Sequence, residues 1–425
     1  MNKQLILLRG PVFSNSGYGS RTRDIFKSLL TLEDKYDIRV LPCNWGQTQW
    51  LDRDNPIVPL IDSYVVDDRK PLTAQPDMFI NVDIPNHFNG VGKRNILISA
   101  LVETTAVPAQ WIEHANKYDI VVASSTFAKN VLLSSKYGIV DNRTNQQVGV
   151  SEYTKDIEVL FEGLDTNIYY KNETPNTDIL KDIEENFCYL NVGMWMESEI
   201  GEDRKNISGL VYTFLDTFKN TKNAPGLVLK VNGGTYSLLD RDRVIERINI
   251  IKKAFTTDKL PNIYVIHGDL TDEEMNDLYN HPKVKSFVTF TKGEGFMRPL
   301  LEFSVTAKPI IASNYSGYLD FINPEFNNAL LPGVLTPVHP SSVVPGIVEK
   351  DTQWYTVDYN NAKKVLQDVF TNYKKYLEGS KRQAYHSKTN FNISKMTDKL
   401  ANIIERYMPP KMEEFKVPQL KKIQL

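Results

Sequence analysis

Short apolar runs alternate with amphipathic segments along most of the chain. This alternation is typical of βαβ units, in which buried parallel strands are joined by helices that pack on the sheet. In the first half, strands are predicted at 4–8, 38–41, 78–82, 95–100, 119–123 and 157–160. Helices are predicted over 20–32 and after residue 123, where Ser125 is a suitable N-cap.

A second alternating series begins at Phe187. Its strands are predicted near 187–192, 226–231, 262–266, 286–290 and 308–312. Its helices are predicted at 206–219, 239–255, 272–280 and 299–306. Residues 331–357 are rich in Pro, Val and Ser and are expected to form an irregular excursion, with two or three further helices between 359 and 408.

The polar segment 171–186 separates the two series and contains Pro175, which is typical of a linker. The sequence therefore predicts an α/β protein with two doubly wound domains and a ligand cleft between them. We place the N-terminal, acceptor-binding domain at 1–172 and the second, nucleotide-binding domain at 173–386. Residues 387–425 are expected to form closing helices and a tail, a candidate to pack back on the first domain.

Composition supports two cores and a soluble, globular class. The chain has 425 residues, 41% of them hydrophobic and 24% charged. Its net charge of −2 gives no overall attraction to nucleic acid or anionic lipid. Cys43 and Cys188 lack any CxxC or metal-type spacing, which favours free thiols over a disulfide. Since we find neither a signal peptide nor a membrane-length apolar run, a cytoplasmic location is predicted.

The loop from Gly293 to Glu302 carries the first candidate chemistry. It follows an apolar strand, and Pro299 suits the first position of a helix. Gly293 and Gly295 are expected to let the backbone approach a ligand, and the amides of residues 296–298 to stabilise a phosphate. The carboxylates of Glu294 and Glu302 can accept hydrogen bonds from sugar hydroxyls. A capped core helix with two incidental acids is the alternative interpretation.

A second candidate lies where the first strand of the second series ends, at Gly193. After an acidic loop, Arg204 and Lys205 open the next helix. An adjacent arginine and lysine at this edge of a sheet can clamp a diphosphate. Alone, a solvated pair of charges would explain them equally simply.

Together these segments resemble retaining GT-B glycosyltransferases of the "glycosyl transferases group 1" type. Glu294 to Glu302 matches the E-x7-E signature of that family, and residues 204–206 resemble its Arg-Lys-Asn clamp. Further resemblances are seen at Gly17-Tyr18-Gly19 with Arg21, Glu103, Pro108, Trp111, 124–127, 161–169 and 267–274. The resemblance implies two Rossmann-like domains and transfer from a nucleoside-diphosphate sugar (UDP- or GDP-sugar), with retention and without an essential metal.

The resemblance also implies roles for individual residues. Arg204 and Lys205 would neutralise the leaving diphosphate, and Glu302 would hold the ribose. Glu294, with the amides of Phe296 and Met297, would hold the donor sugar. The other donor-site residues implied are Gly17, Gly19, Gly193, His267 and Gly295. Met297 stands where the family usually has glycine, which leaves the identity of the sugar open.

The acceptor side rests on weaker signals. Asp83, His87 and Glu103 lie at or just beyond predicted strand ends of the first domain. His87 could orient an acceptor hydroxyl or be a surface histidine, and Glu103 could be a structural cap. The expected acceptor is a saccharide or another hydroxyl compound.

Three alternatives to this function stay open. The acceptor could be a modified nucleic acid base, which the clusters Lys374-Lys375 and Lys421-Lys422 keep in view. The chain could be a related phosphorylase or epimerase, although no lysine is marked as holding a cofactor. It could also be a sugar-nucleotide-binding subunit without catalysis.

Overall fold

The apolar runs of both series form parallel strands in the computed structural model. The structure describes residues 3–411 except 47, 68, 71–73, 89, 257 and 327–328. The predicted tail from residue 412 onward, including Lys421-Lys422, lies outside the described residues.

The first half contains β1 (Gln4–Gly10), α1 (Gly17–Leu30), β2 (Tyr36–Pro42), α2 (Ile57–Asp62), β3 (Met78–Val82), β4 (Arg94–Ser99), α3 (Ala109–Ala115), β5 (Ile120–Ala123), α4 (Thr126–Ser134), β6 (Lys136–Val140), β7 (Gln147–Glu152) and β8 (Ile157–Val159). The second half contains β9 (Cys188–Met194), α5 (Ile207–Phe218), β10 (Gly226–Asn232), α6 (Leu238–Lys252), β11 (Ile263–Ile266), α7 (Asp272–Asn280), β12 (Val284–Val288), α8 (Arg298–Ser304) and β13 (Ile310–Ser313). It continues with β14 (Leu330–Leu331), β15 (Gly333–Pro337), β16 (Gln353–Val357), α9 (Tyr359–Thr371), α10 (Tyr373–Asn390) and α11 (Ile393–Tyr407).

Two parallel sheets organise these elements. The first has the strand order β2-β1-β3-β4-β5-β8, and the second has the order β11-β10-β9-β12-β13-β14. Every residue of β3 is buried, which shows that both faces of the first sheet are covered. The predicted fold class, two doubly wound Rossmann-like α/β units, is confirmed.

In each sheet the order reverses beside the first strand of the unit, between β1 and β3 and between β9 and β12. Such a switch point opens a crevice at the carboxyl ends of the strands, where ligands of open α/β sheets bind. The loop after β1 leads to Gly17 and Gly19, the loop after β9 carries Arg204 and Lys205, and the loop after β12 carries Glu294.

Some local predictions need correction. Residues 331–357 include an ordered antiparallel hairpin, β15–β16, in which Gly333 lies opposite Val357. The hairpin β6–β7 and the short helices α2 and α3 had no predicted counterpart. Ser125 is confirmed as the N-cap of α4, since its hydroxyl accepts a bond from the Ala128 amide.

The C-terminal helix α11 packs along α1 of the first half. The hydroxyls of Ser28 and Thr397 are 2.8 Å apart, and Leu164 pairs with Asn392 just before α11. The division of the chain at residues 172 and 386 stays a prediction. Cys43 and Cys188 are free, and Cys188 is buried. In the described part of the chain, none of the helices has the length and apolar character needed to cross a membrane.

Candidate functional site

The carboxyl ends of the two sheets face each other, and their loops touch. The Ser124 hydroxyl, after β5, donates to the Gly295 carbonyl at 3.0 Å. The side-chain amide of Asn15, after β1, donates to Asp269, after β11, at 2.8 Å. The crevices of both sheets therefore form one cleft, and the loop after β12 lies across it.

Glu294 is the anion at the centre of this cleft, and it is almost fully buried. Its Oε1 lies 2.7 Å from Lys205 Nζ and accepts a 2.7 Å bond from the Thr291 hydroxyl. Its Oε2 lies 3.3 Å from Arg204 Nη1. Burial would raise the pKa of this carboxyl, but the charges of Lys205 and Arg204 outweigh burial and hold the pKa below its ordinary value.

Arg204 links this centre to the opposite domain. Its Nη1 donates to the Gly293 carbonyl at 2.8 Å and lies 3.4 Å from Glu103 Oε1. Burial would lower the pKa of the guanidinium, and the carboxylates of Glu103 and Glu294 raise it. Arg204, Lys205, Glu294 and Glu103 thus form one cluster of two cations and two anions at facing strand ends.

The glycines of the β12–α8 loop serve the contact between the domains. A Cβ on Gly293 would lie 2.0 Å from the Glu103 carbonyl oxygen, and one on Gly295 would lie 2.8 Å from Ala100 Cβ. That these glycines let the backbone approach a ligand stays a prediction. In the described conformation, residues of the first domain fill the space that a side chain at either position would need.

The two glycines at the start of α1 have different surroundings. A Cβ on Gly19 would lie 1.9 Å from the Ser14 carbonyl oxygen, so the tight turn requires glycine. No atom lies within 4 Å of a Cβ built on Gly17, which borders a small cavity lined also by Tyr18, Ser99 and Glu162. Gly193 lies along the aliphatic part of Lys205, whose Cδ would be 3.9 Å from its Cβ.

Met297 immediately precedes α8 in a left-handed conformation, with φ of +77°. This conformation favours glycine, which explains why a glycine is usual there in the family that the loop resembles. The Met297 side chain is buried in the hydrophobic core, as is that of Phe296, which packs on Phe321. These two residues can therefore face a ligand only with their backbones.

Glu302 lies on α8 in a second group of charges. Its Oε1 accepts a bond from Arg298 Nε at 3.0 Å, and its Oε2 accepts one from the Tyr279 hydroxyl at 3.0 Å. Burial raises the pKa of Glu302 to about 7, although the Arg298 charge opposes the rise. Arg298 also pairs with Asp24 of α1, so the group joins both domains.

Sequence reasoning missed the side chains of Arg298, Asp24 and Tyr279. The spacing of four residues between Arg298 and Glu302 is a recognisable helical ion-pair signal. The other two partners lie far away in sequence, and no local pattern marks them.

His267 is held at the end of β11. Its Nε2 lies 2.9 Å from an Asp240 carboxylate oxygen, which also accepts the Gly233 amide. The ring is almost wholly buried, so the histidine fixes the loop beside Asp269 and presents little surface of its own.

The three acceptor-side candidates are not brought together. Glu103 joins the central cluster, as described above. Asp83 pairs with Arg9 at 2.8 Å, and His87 is an exposed loop residue whose ring lies 6.3 Å from that of His114. Within the described residues, no group of three or more His, Cys, Asp or Glu side chains is arranged to hold a metal ion.

Solved glycosyltransferase structures are similar to the whole described architecture. Anabaena HepE in complex with UDP-glucose is 13% identical at a TM-score of 0.61, over 95% of this chain and 99% of that chain. Sucrose-phosphate synthase from Thermosynechococcus elongatus is 12% identical at a TM-score of 0.60, with coverage of 95% and 99%. The α,α-trehalose 6-phosphate synthase from Burkholderia multivorans is 10% identical at 0.58, with coverage of 96% and 97%.

Neither a family model nor a curated protein sequence matches the chain. At these low identities, the structural likeness shows that the chain has the two-domain GT-B fold.

Proposed function

We propose that this protein is a glycosyltransferase that moves a hexosyl or pentosyl group from a nucleoside-diphosphate sugar to an acceptor hydroxyl, with retention and without an essential metal. The observation that carries the proposal is the convergence of Arg204, Lys205 and Glu294 at the switch point of the second sheet. A crevice of this type is where α/β sheets bind nucleotides.

The charges of the cluster fit the departure of a diphosphate. In transfer, the bond from the anomeric carbon to the β-phosphate oxygen breaks, and negative charge grows on the leaving group. Two partly buried cations held in place before the reaction would stabilise that charge without reorganisation. In the described conformation the carboxylates of Glu294 and Glu103 contact these cations, which supports their suitability for binding an anion.

Once the cations engage the diphosphate, the Glu294 carboxylate can accept hydrogen bonds from the donor sugar. An ionised carboxylate only accepts hydrogen bonds, which suits the hydroxyl donors of a sugar. Glu302, on α8, is assigned to the ribose. The other residues that we assign to the same donor site belong to the loops around it: Gly17, Gly19, Gly193, His267, Gly295, Phe296 and Met297.

A UDP-sugar is the first donor to test, and a GDP-sugar the second. HepE is described in complex with UDP-glucose, which makes uracil the better-supported base. The two side-chain cations support metal independence, because they can supply the positive charge that a divalent ion would otherwise provide. Two free thiols support the proposed cytoplasmic location.

The acceptor is proposed to be a saccharide or another hydroxyl compound, with Asp83, His87 and Glu103 as acceptor-side candidates. No observation favours a nucleic acid acceptor, and Lys375 of the basic cluster noted above is engaged by Asp368. Binding of a nucleotide sugar without turnover is the competing outcome.

The test is a thermal-shift screen of UDP- and GDP-sugars, followed by donor hydrolysis with EDTA present. We expect one donor to stabilise the protein by mass action and to be hydrolysed slowly, with NMR of a transfer product showing retention. Arg204→Ala and Glu294→Gln should abolish turnover. Arg94→Ala and Glu113→Gln, which remove exposed surface partners, are the matched controls. Wild-type turnover in either cleft variant would refute the assignment.

A further inference from the structure

Two pairs of stacked aromatic rings line the first-domain side of the cleft. Phe13 and Trp50 stack with centroids 5.8 Å apart and planes 13° apart. Tyr18 and Trp45 stack at 4.1 Å and 23°. Trp50 is 52% exposed. We call Phe13, Tyr18, Trp45 and Trp50 the aromatic rim.

The backbone holds the outer pair of the rim in place. Ser14 and Trp50 form an antiparallel bridge, supported by bonds from the Leu51 amide to Phe13 and from the Asn15 amide to Gln49, both 2.7 Å. The loop after β2 is thereby clamped to the loop after β1. A ring fixed in this way loses little conformational entropy when a ligand stacks on it.

One member of the rim, Tyr18, lies at the cavity in the cleft, whereas another, Trp50, is exposed to solvent. Tyr18 lines the small cavity beside Gly17, and its hydroxyl accepts the Ala100 amide at 3.0 Å. Ala100 in turn faces Gly295 of the β12–α8 loop. At the other end, Asn15 binds Asp269 of the second domain. A molecule on the rim would therefore lie between solvent and the proposed donor site.

The charges and polar groups around the rim limit what can lie there. Asp52, Arg53 and Asp54 follow Trp50 and are all exposed, with two carboxylates against one guanidinium. This local negative charge disfavours a polyanion such as a nucleic acid strand. Exposed amide side chains, at Asn44 and Gln49, flank the two tryptophans. Flat apolar rings beside neutral hydrogen-bonding groups suit a sugar ring, which has an apolar C–H face and a polar edge.

We propose that the aromatic rim is the acceptor subsite and that it binds a neutral saccharide whose ring stacks on Trp50. This inference rests on the proposed glycosyltransferase function and identifies the class of acceptor. Trp45 and Tyr18 continue the surface inward, so a second sugar unit stacks on Trp45 with its hydroxyl directed to the cavity beside Gly17.

The test compares Trp50→Ala, Trp50→Phe and Trp45→Ala with the wild type. Transfer is measured with a fixed nucleotide sugar and with maltotriose, cellotriose and methyl glycosides as acceptors. We expect Trp50→Ala to raise the acceptor KM about tenfold or more, with kcat and the thermal shift produced by UDP nearly unchanged. Trp50→Phe should recover most of the affinity. Tyr385→Ala, which removes an even more exposed ring on α10, should behave like the wild type.

The outcomes separate this inference from the function on which it rests. Failure of every nucleotide sugar to bind or react refutes the proposed function. If the protein hydrolyses the donor but Trp50→Ala leaves the acceptor KM unchanged, the acceptor subsite alone is refuted. The same holds if the wild type hydrolyses the donor but binds no saccharide of the panel. If an oligothymidylate competes with the acceptor and this competition requires Trp50, the rim binds a nucleic acid and not a saccharide, and the inference is overturned.

Discussion

Glu302→Gln tests the unusual environment of the α8 carboxylate. In the folded protein burial raises the pKa of Glu302 to about 7. In an unfolded chain a glutamate titrates near 4.3. The folded state therefore holds the proton more tightly. Its extra stability is fully present below the unfolded pKa and is lost as the pH rises through about 7.

The size of the effect follows from the two pKa values. Between pH 5 and pH 8 this one group should remove about 2–3 kcal/mol from the free energy of unfolding. A glutamine at 302 keeps acceptor and donor atoms for Arg298 and Tyr279 but does not titrate. The difference in unfolding free energy between wild type and Glu302→Gln should therefore change by about that amount over the same pH interval.

Urea denaturation followed by tryptophan fluorescence at pH 5, 6, 7 and 8 measures this difference. Glu113→Gln is the control, because Glu113 is an exposed helix residue paired with Lys117. The control should run parallel to the wild type across this pH range. A Glu302→Gln curve that also runs parallel to the wild type would show that Glu302 titrates normally and would refute the reasoning.

Three further changes test the site. Lys205→Ala removes the closest cation from Glu294 and should lower the rate of donor hydrolysis by about 10²–10³-fold, as measured by nucleoside diphosphate release. Gly295→Ala places a methyl group against Ala100 and should lower kcat/KM about a hundredfold, as measured by nucleoside diphosphate release. Met297→Gly relieves about 1 kcal/mol of backbone strain but loses about 2 kcal/mol of side-chain burial. Urea denaturation should therefore show a net loss of stability near 1 kcal/mol, and a stabilised variant would contradict this.

The regular elements were predictable where burial alone decides them. The run at 78–82 is apolar throughout, and β3 spans those same residues because a parallel strand is covered on both faces. β12 occupies 284–288 although 286–290 was predicted, since the apolar Phe290 lies past the last ladder pair. The hairpin β6–β7 escaped prediction because its valines and isoleucine face solvent, so no core periodicity marks it.

The candidate site was predictable only as far as local spacing extends. Arg204, Lys205 and Glu294 could be assigned to one cleft because each follows a strand of the same sheet, and their side chains do meet. The partners from the first domain, Glu103 and Asp24, depend on how the two domains face each other. That arrangement is set by contacts between residues far apart in sequence, which no window of the sequence displays.

The contacts across the cleft also constrain how a donor can enter. Gly293 touches the Glu103 backbone so closely that a single methyl group would not fit, and Arg204 is bound to carboxylates from both domains. Under the proposed function, a diphosphate that engages Arg204 competes with Glu103 for the guanidinium. Because the Arg204–Glu103 pair joins the two domains, this competition predicts that donor binding changes the contact between them, and Glu103→Gln tests it.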